Sequence, residues 1–243
     1  LAGVRSDDIA LEIGPGLGSL TLALLDEAAE VIAVEIDTRL AMQLPLTVAT
    51  HSDNSANLIV VNEDALRVLA LPKLPTILVA NLPYNISVPV LLHFLETFQS
   101  IRAGVVMVQA EVADRLVAKP GTKDYGIPSL KAAWWAQMFH VGVVSRSVFW
   151  PAPNVDSKLA SFERRSETDS EEIRLIAFAG IDAAFSQRRK MLRSALSTWL
   201  GGSATAEAVL TKAKIDPTLR GETLVIEDYC AIARAVKEMG IGF

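Results

Sequence analysis

The stretch Ile9-Ala-Leu-Glu-Ile-Gly-Pro-Gly-Leu-Gly18 decides the fold. Its apolar run is strand-sized and ends in glycines, and the helix-like run Leu20–Leu25 follows directly. Glycines in such a turn let backbone come close to a ligand, and the start of the helix favours negative charge. A glycine-rich turn alone is a weak signal, so its weight depends on what lies around it.

Further apolar runs follow at Val31–Ile36, Leu58–Asn62, Thr76–Asn81 and Gly104–Gln109, with helix-like segments between the earlier ones. Continuous apolar strands alternating with helices predict an α/β fold whose mostly parallel sheet is covered on both faces. Val141–Phe149 and Val155–Arg164 read as two more strands around a Pro-rich link, an antiparallel pair at the end of the sheet. After Arg165 the composition changes. Ser166–Glu172 is polar and acidic, as a linker is. Beyond it the pattern is helical over Glu171–Phe185, Gln187–Leu200, Ala204–Ala213 and Ile226–Met239. The expected domains are therefore 1–165, carrying the sheet, and 166–243, small and all-helical.

The 243 residues carry a net charge of −5, which argues against a protein that coats nucleic acid with its whole surface but leaves room for a local basic patch. Apolar runs are too short to span a bilayer, and no signal-peptide pattern opens the chain, so a cytoplasmic location is expected. With Cys230 as the one cysteine, neither a disulfide framework nor a cysteine-rich metal site is available within the chain. His51, His93 and His140 lie far apart without carboxylates at ligand spacing, so no metal is expected.

Two further acidic residues fall in register with the glycine turn. Glu35 ends the second predicted strand, nineteen residues after Gly16, where a carboxylate accepts from ribose hydroxyls. Asp64 follows the third strand and could accept from an adenine amino group. Gly14 and Gly16 would lie against the ligand. The dinucleotide pattern G-x-G-x-x-G fits less well, because Gly18 comes one residue early and no residue set suggests hydride transfer. A plain βα turn with solvated carboxylates competes for the glycines alone. Glu35 and Asp64 weigh against it.

Asn81-Leu-Pro-Tyr84 closes the fourth strand and is the most specific motif in the chain. Ligands of such sheets bind outside the carboxyl ends of the strands, so Asn81 would face the cofactor. The Asn81 side-chain oxygen and the Leu82 carbonyl are two acceptors able to hold both N–H bonds of an exocyclic amine such as adenine N6. Held so, the nitrogen turns toward tetrahedral geometry and presents its lone pair, with no strong base needed first. Pro83 stiffens the turn, and Tyr84 offers a face for stacking. Phe149, in Phe149-Trp-Pro-Ala-Pro-Asn-Val-Asp-Ser157, would cover the other face, with Pro151 and Pro153 fixing an extended segment. The competing reading is a helix-capping turn with a core tyrosine.

Together these motifs resemble the ribosomal RNA adenine dimethyltransferase family of the small-subunit (KsgA) type. The resemblance runs over nearly the whole chain: Gly14-Pro-Gly16, Val34-Glu-Ile-Asp37, Asp64-Ala65, Asn81-Leu-Pro-Tyr84, Gly121-Thr-Lys-Asp-Tyr-Gly126, the segment 149–157, Ala184-Phe-Ser-Gln-Arg-Arg-Lys190 and Arg220-Gly-Glu-Thr-Leu224 occur in the family's order. It implies a Rossmann-like class I methyltransferase sheet. It implies S-adenosylmethionine held by Gly14, Gly16, Glu35, Asp64 and Asn81, and an adenine held by Asn81, Leu82, Tyr84 and Phe149. The implied partner is small-subunit rRNA in an immature subunit, dimethylated at two adjacent adenines of a 3′-terminal hairpin; a monomer is expected. Family members also carry an N-terminal Gln-Asn-Phe-Leu segment over the cofactor. Since the sequence opens at Leu1, that segment is expected to be missing and cofactor binding to be weaker without it. Asn154 stands where the family often has lysine.

Gln187–Leu200 bears on the partner. On a helical wheel Arg189, Lys190 and Arg193 share a face and are the expected RNA contacts, while Leu192, Ala195, Leu196 and Trp199 form the apolar stripe. Arg188 falls on the apolar side and is expected to snorkel or pair with a carboxylate. A solvated helix face is the plain alternative, and the family resemblance turns the preference toward RNA. Two other functions use the same motifs: a resistance-conferring large-subunit rRNA adenine methyltransferase, and a non-catalytic RNA-binding assembly or transcription factor. The intact Asn81–Tyr84 motif argues against the second.

Overall fold

The computed structural model describes residues 1–149, 155–166 and 169–242. Trp150 to Asn154 lie outside these, and with them the expectations for Pro151, Pro153 and Asn154. The chain divides into two compact units, Leu1–Asp114 with Gln137–Arg164, and Arg115–Ala136 with Arg165–Phe243.

In chain order the elements up to the end of the sheet are β1 (Ile9–Ile13), α1 (Ser19–Glu27), β2 (Glu30–Val34), α2 (Thr38–His51), β3 (Leu58–Val61), β4 (Ile77–Asn81), α3 (Ser87–Thr97), β5 (Ala103–Gln109), α4 (Ala110–Val117), α5 (Ile127–Trp135), β6 (Ala136–Val144) and β7 (Ser157–Arg164). The sheet has seven strands in the order β3-β2-β1-β4-β5-β7-β6. Five are parallel, and β7 runs antiparallel to β5. The predicted apolar runs are found where both faces of a strand must be covered. Val31 and Ala33 of β2, Ala10 of β1 and Ile77 of β4 pack with Leu24 and Leu25 of α1 and Leu44 and Val48 of α2. The alternate residues Leu11, Ile32 and Leu78 point to the opposite face and are equally buried.

The strand predicted over Val141–Phe149 begins and ends earlier, at Ala136 and Val144. It stops because Ser145 caps a short turn over Arg146–Val148, its hydroxyl accepting the Ser147 amide. Local side-chain capping of this kind competes with strand pairing.

The second unit adds α6 (Glu171–Ser186), α7 (Leu192–Ala195), α8 (Ser203–Lys212) and α9 (Ile226–Glu238). Ser170 caps α6, and Ile176, Ile181, Leu196, Leu210, Tyr229 and Val236 fill the core. Residues 115–136, which the sequence placed with the sheet, belong to this helical unit. The cause is aromatic packing that no local pattern announces. Trp134 and Trp135 of α5 meet Phe178 of α6 edge-on at 6.0 and 5.5 Å. Lys131 pairs with Asp182 at 2.8 Å, and the buried Tyr125 hydroxyl donates to the Leu224 carbonyl.

The helix expected over 187–200 is broken. α6 ends at Ser186, a turn follows in which the Lys190 amide donates to the Gln187 carbonyl, and α7 is one turn long. The Leu192 and Arg193 amides, which a continuous helix would use internally, donate to the carbonyls of Leu219 and Pro217 at 2.7 and 3.2 Å. Arg189, Lys190 and Arg193 therefore do not share one helix face. Leu192, Ala195 and Leu196 are buried as the apolar stripe required.

Candidate active site

The strand order reverses between β1 and β4: β2 and β3 lie to one side of β1, β5 to the other side of β4. This switch point opens a crevice at the carboxyl ends of the two strands, where ligands of open α/β sheets bind. The glycine turn leaves β1 there, and Asn81-Leu-Pro-Tyr84 leaves β4. The two loops lie side by side, within one side chain's reach. A Cβ built on Gly14 would lie 3.8 Å from Pro83 Cδ and 3.9 Å from the Asn81 carbonyl oxygen. Gly14 itself is at φ +70°, a backbone region side chains disfavour. At Gly16 a Cβ would meet nothing within 4 Å, so the loop faces open space.

Glu35 follows β2, next in the sheet. It is 6% exposed, and its carboxylate accepts the amides of Gly16 at 3.3 Å and Asp37 at 3.0 Å. Its own amide donates to Val61, and Asn62 Nδ2 donates to its carbonyl at 2.7 Å, which ties the ends of β2 and β3 together. Asp64 is further along the same rim. One of its oxygens accepts the Leu66 amide at 3.0 Å, and Arg67 approaches the other at 3.8 Å. Glycine turn, Glu35 and Asp64 thus sit at the carboxyl ends of consecutive neighbours β1, β2 and β3.

Asn81 is exposed at the end of β4, and its side-chain amide has no protein partner among the described residues. Leu82 is buried, its amide bound to the Met107 carbonyl at 3.0 Å. That bond fixes the backbone on either side of Asn81. Tyr84 is half-buried, with its hydroxyl 2.7 Å from that of Ser157. Phe149 is also half-buried and ends the Arg146–Val148 turn, its amide donating to the Arg146 carbonyl at 3.3 Å.

Three residues given no role by the sequence alone belong to this neighbourhood. Glu12 is 2% exposed in the otherwise apolar β1 and accepts from the Thr21 hydroxyl at 2.6 Å. Burial pushes its carboxyl up to about 7; the Thr21 hydrogen bond opposes the rise and the nearby Glu35 charge adds to it. A lone glutamate at a buried strand position was the signal for it. Asp156 and Ser157 stand within a recognisable motif, and only the fold shows what they hold. In the helical unit Arg189 and Lys190 are exposed and Arg193 is half-buried. Arg188 pairs with Glu222 at 2.6 Å, a carboxylate partner of the kind expected, and donates to the Thr122 and Lys123 carbonyls, although it stands in the turn after α6 and not on a helix face.

The family model for ribosomal RNA adenine dimethylase matches residues 2–238, across both units. The chain belongs to this family. The sequence is 55% identical to the ribosomal RNA small subunit methyltransferase A of Streptomyces avermitilis, covering 96% of this chain and 80% of that protein. It is 56% identical to the protein of the same name from Thermobifida fusca, covering 96% and 82%. Among solved structures, a dimethyladenosine transferase from Plasmodium falciparum superposes with a TM-score of 0.83 at 26% identity, over 99% of this chain and 94% of that one. The 23S rRNA methyltransferase ErmE superposes with a TM-score of 0.69 at 27% identity, over 97% and 93%. The Rossmann-like class I methyltransferase sheet is thus the fold of this chain, as expected. Among the described residues no helix is long and apolar enough to cross a membrane.

Proposed function

We propose that this family member transfers methyl groups to the N6 atoms of adjacent adenines in the 3′-terminal hairpin of small-subunit rRNA, using S-adenosylmethionine, on subunits still being assembled in the cytoplasm. The observation that carries the reading is the close approach of the Gly14 turn to the Asn81–Tyr84 turn at the switch point of the sheet. A cofactor lying along the first turn brings its reacting end to the second.

The residues present fit the cofactor. Gly14 and Gly16 leave its path clear of side chains. Each Glu35 oxygen takes one amide and keeps a lone pair for a ribose hydroxyl. Asp64, on the same rim, takes the adenine amine in this proposal. When bound, S-adenosylmethionine supplies a methyl group on a positively charged sulfur. Everything else falls to the protein. The unpartnered Asn81 side chain and the Leu82 carbonyl accept the two N–H bonds of the target amine, and the Leu82–Met107 bond holds the backbone that carries them. Tyr84 and Phe149 hold the base by its faces. Once methylated, the nitrogen is acidic and gives up a proton without a dedicated base.

In the same proposal the unit that carries the sheet is catalytic and the helical unit, which takes residues 115–136 besides those expected after 165, recognises rRNA, the protein working as a monomer with Arg189, Lys190 and Arg193 on phosphates. The small-subunit identity of the RNA is supported by the names of the Streptomyces and Thermobifida relatives and by their identity of 55 and 56%. The test is methyl transfer from labelled cofactor to immature small subunits and, separately, to large subunits. Dimethyladenosine in small-subunit rRNA alone is the expected product. Label in large-subunit rRNA, or none in either while cofactor still binds, would overturn the proposal.

A further inference from the structure

Ser157 and Asp156 are adjacent; Ser157 bonds Tyr84, and Asp156 bonds the start of the turn that ends in Phe149, the two aromatic residues assigned to the target base. Ser157 opens β7 opposite Gln109, the last residue of β5, and is 0% exposed. Its hydroxyl is 2.7 Å from the Tyr84 hydroxyl. Asp156 precedes it. The Asp156 carbonyl accepts the Ala110 amide at 3.0 Å, which pins the residue to the end of β5. Its carboxylate accepts the Arg146 amide at 3.2 Å, at the start of the turn that ends in Phe149.

The end of β5 is therefore a common anchor. On one side the Met107 carbonyl binds the Leu82 amide and sets the turn that carries Asn81 and Tyr84. On the other, Ser157 pairs with Gln109, the last residue of the same strand, and the Asp156 carbonyl binds the amide of Ala110, which follows it. Tyr84 and Phe149 are referenced to one rigid element, although they are 65 residues apart in the chain. A stacking slot must keep a fixed width to grip a flat ring, and its walls must be locked before the base arrives if binding is not to be spent on ordering them. The Tyr84 ring would otherwise turn about its side-chain bonds, since the residue is only half-buried.

Resting on the proposed adenine site, we infer that Ser157 and Asp156 are positioning residues for base capture: Ser157 locks the Tyr84 ring through the hydroxyl pair, and Asp156 sets the turn that presents Phe149. Neither touches the reacting atoms.

The experiment uses a hairpin RNA with 2-aminopurine at the target position, whose fluorescence reports stacking without any methyl transfer. Wild type, Ser157→Ala, Tyr84→Phe and the double variant are compared, with Asp156→Ala against Asp156→Asn as a second pair. Removing either hydroxyl should lower kcat by about two- to tenfold, the range expected when one hydrogen bond is removed. The double variant should fall no further than the more affected single variant, because the two hydroxyls form one bond. The fluorescence change on binding should shrink in step, while cofactor affinity and unfolding midpoint stay near wild type. Asp156→Asn, which keeps a carbonyl acceptor, should retain most of the activity that Asp156→Ala forfeits. Wild-type fluorescence unaffected by binding would remove the stacking site itself. A wild-type change that persists in full in Ser157→Ala and Asp156→Ala, or losses that follow stability and cofactor affinity instead, would overturn the positioning role alone.

Discussion

The carboxylate of Glu35 accepts the amide of Gly16 at 3.3 Å, so the end of β2 holds the glycine turn that leaves β1. This one bond joins two of the three sequence signals for a cofactor, the glycine turn and Glu35. It also makes Glu35 a test of the site. Glu35→Ala removes the acceptors proposed for the ribose, and S-adenosylmethionine should bind about 1–3 kcal/mol more weakly, the cost of charge-assisted hydrogen bonds. Isothermal calorimetry reads this directly. An affinity equal to wild type would leave Glu35 as a strut for the Gly16 turn and nothing more.

Two glycines separate conformational from steric demand. Gly14 is at φ +70° with no clash awaiting a Cβ, so Gly14→Ala should cost about 1–2 kcal/mol of stability through backbone strain alone. Gly104, within β5, is different. A Cβ there would collide with the Leu78 carbonyl oxygen and lie 2.6 Å from the Phe162 ring. The oxygen belongs to a paired neighbouring strand and has nowhere to move, so Gly104→Ala should prevent the sheet from forming as built. Urea unfolding of both variants checks the contrast. Equal midpoints would mean that β4 and β5 can separate more easily than their pairing suggests.

The buried Glu12 gives a pH dependence with a definite sign. Its carboxyl is raised from 4.5 to about 7, chiefly by burial. The folded protein therefore holds this proton at pH values where the unfolded chain has released it. The corresponding stability is complete below about 4.5 and is lost as pH rises through about 7. Glu12→Gln cannot ionise. The gap in unfolding free energy between the variant and wild type should move in favour of the variant from pH 5 to pH 8, by up to about 3 kcal/mol. Denaturant titrations across that range measure it. A gap that does not change with pH would mean that Glu12 ionises in the fold as freely as in water.

The parts of the fold legible in the sequence are those where local pattern and tertiary environment agree. β1 to β5 are apolar runs because both their faces are covered, and the runs alone reveal them. Glu35, Asp64 and Asn81 were legible because each follows such a run, and the order of parallel strands carries strand ends to one rim. The break after Ser186 was not legible. The helical pattern continues through Leu192 and Leu196, but the Leu192 and Arg193 amides are taken by Leu219 and Pro217, residues more than twenty positions away. The same holds for α5. Trp134 and Trp135 look like core residues of whichever domain is nearest, and Phe178 decides which one that is. Ser157 and Asp156 are visible as parts of a motif, yet their hydrogen bonds run to residues 73 and 10 positions distant.

The broken helix changes what the basic residues can do. Arg189 and Lys190 are exposed on a turn and, among the described residues, have no acidic partner, whereas Arg188 beside them is committed to Glu222. Arg193 is half-buried in α7. If the helical unit grips rRNA through phosphates, replacing Arg189, Lys190 and Arg193 with Ala should weaken subunit binding. The log–log salt slope should fall by about 0.7–0.9 for each phosphate no longer neutralised, because every neutralised phosphate releases condensed counterions. The exposed pair should account for most of the change, and Arg193→Ala alone for least. Cofactor affinity should not move. Asn81→Ala should show the reverse pattern, with methyl transfer abolished and RNA binding retained. Binding to immature small subunits over a series of salt concentrations distinguishes these outcomes. A slope unchanged in the triple variant would make Arg189 and Lys190 ordinary solvated charges. Recognition would then fall to other exposed cations of the same unit, beginning with Lys119 and Lys123, whose loop is held by Arg188 through the Thr122 and Lys123 carbonyls.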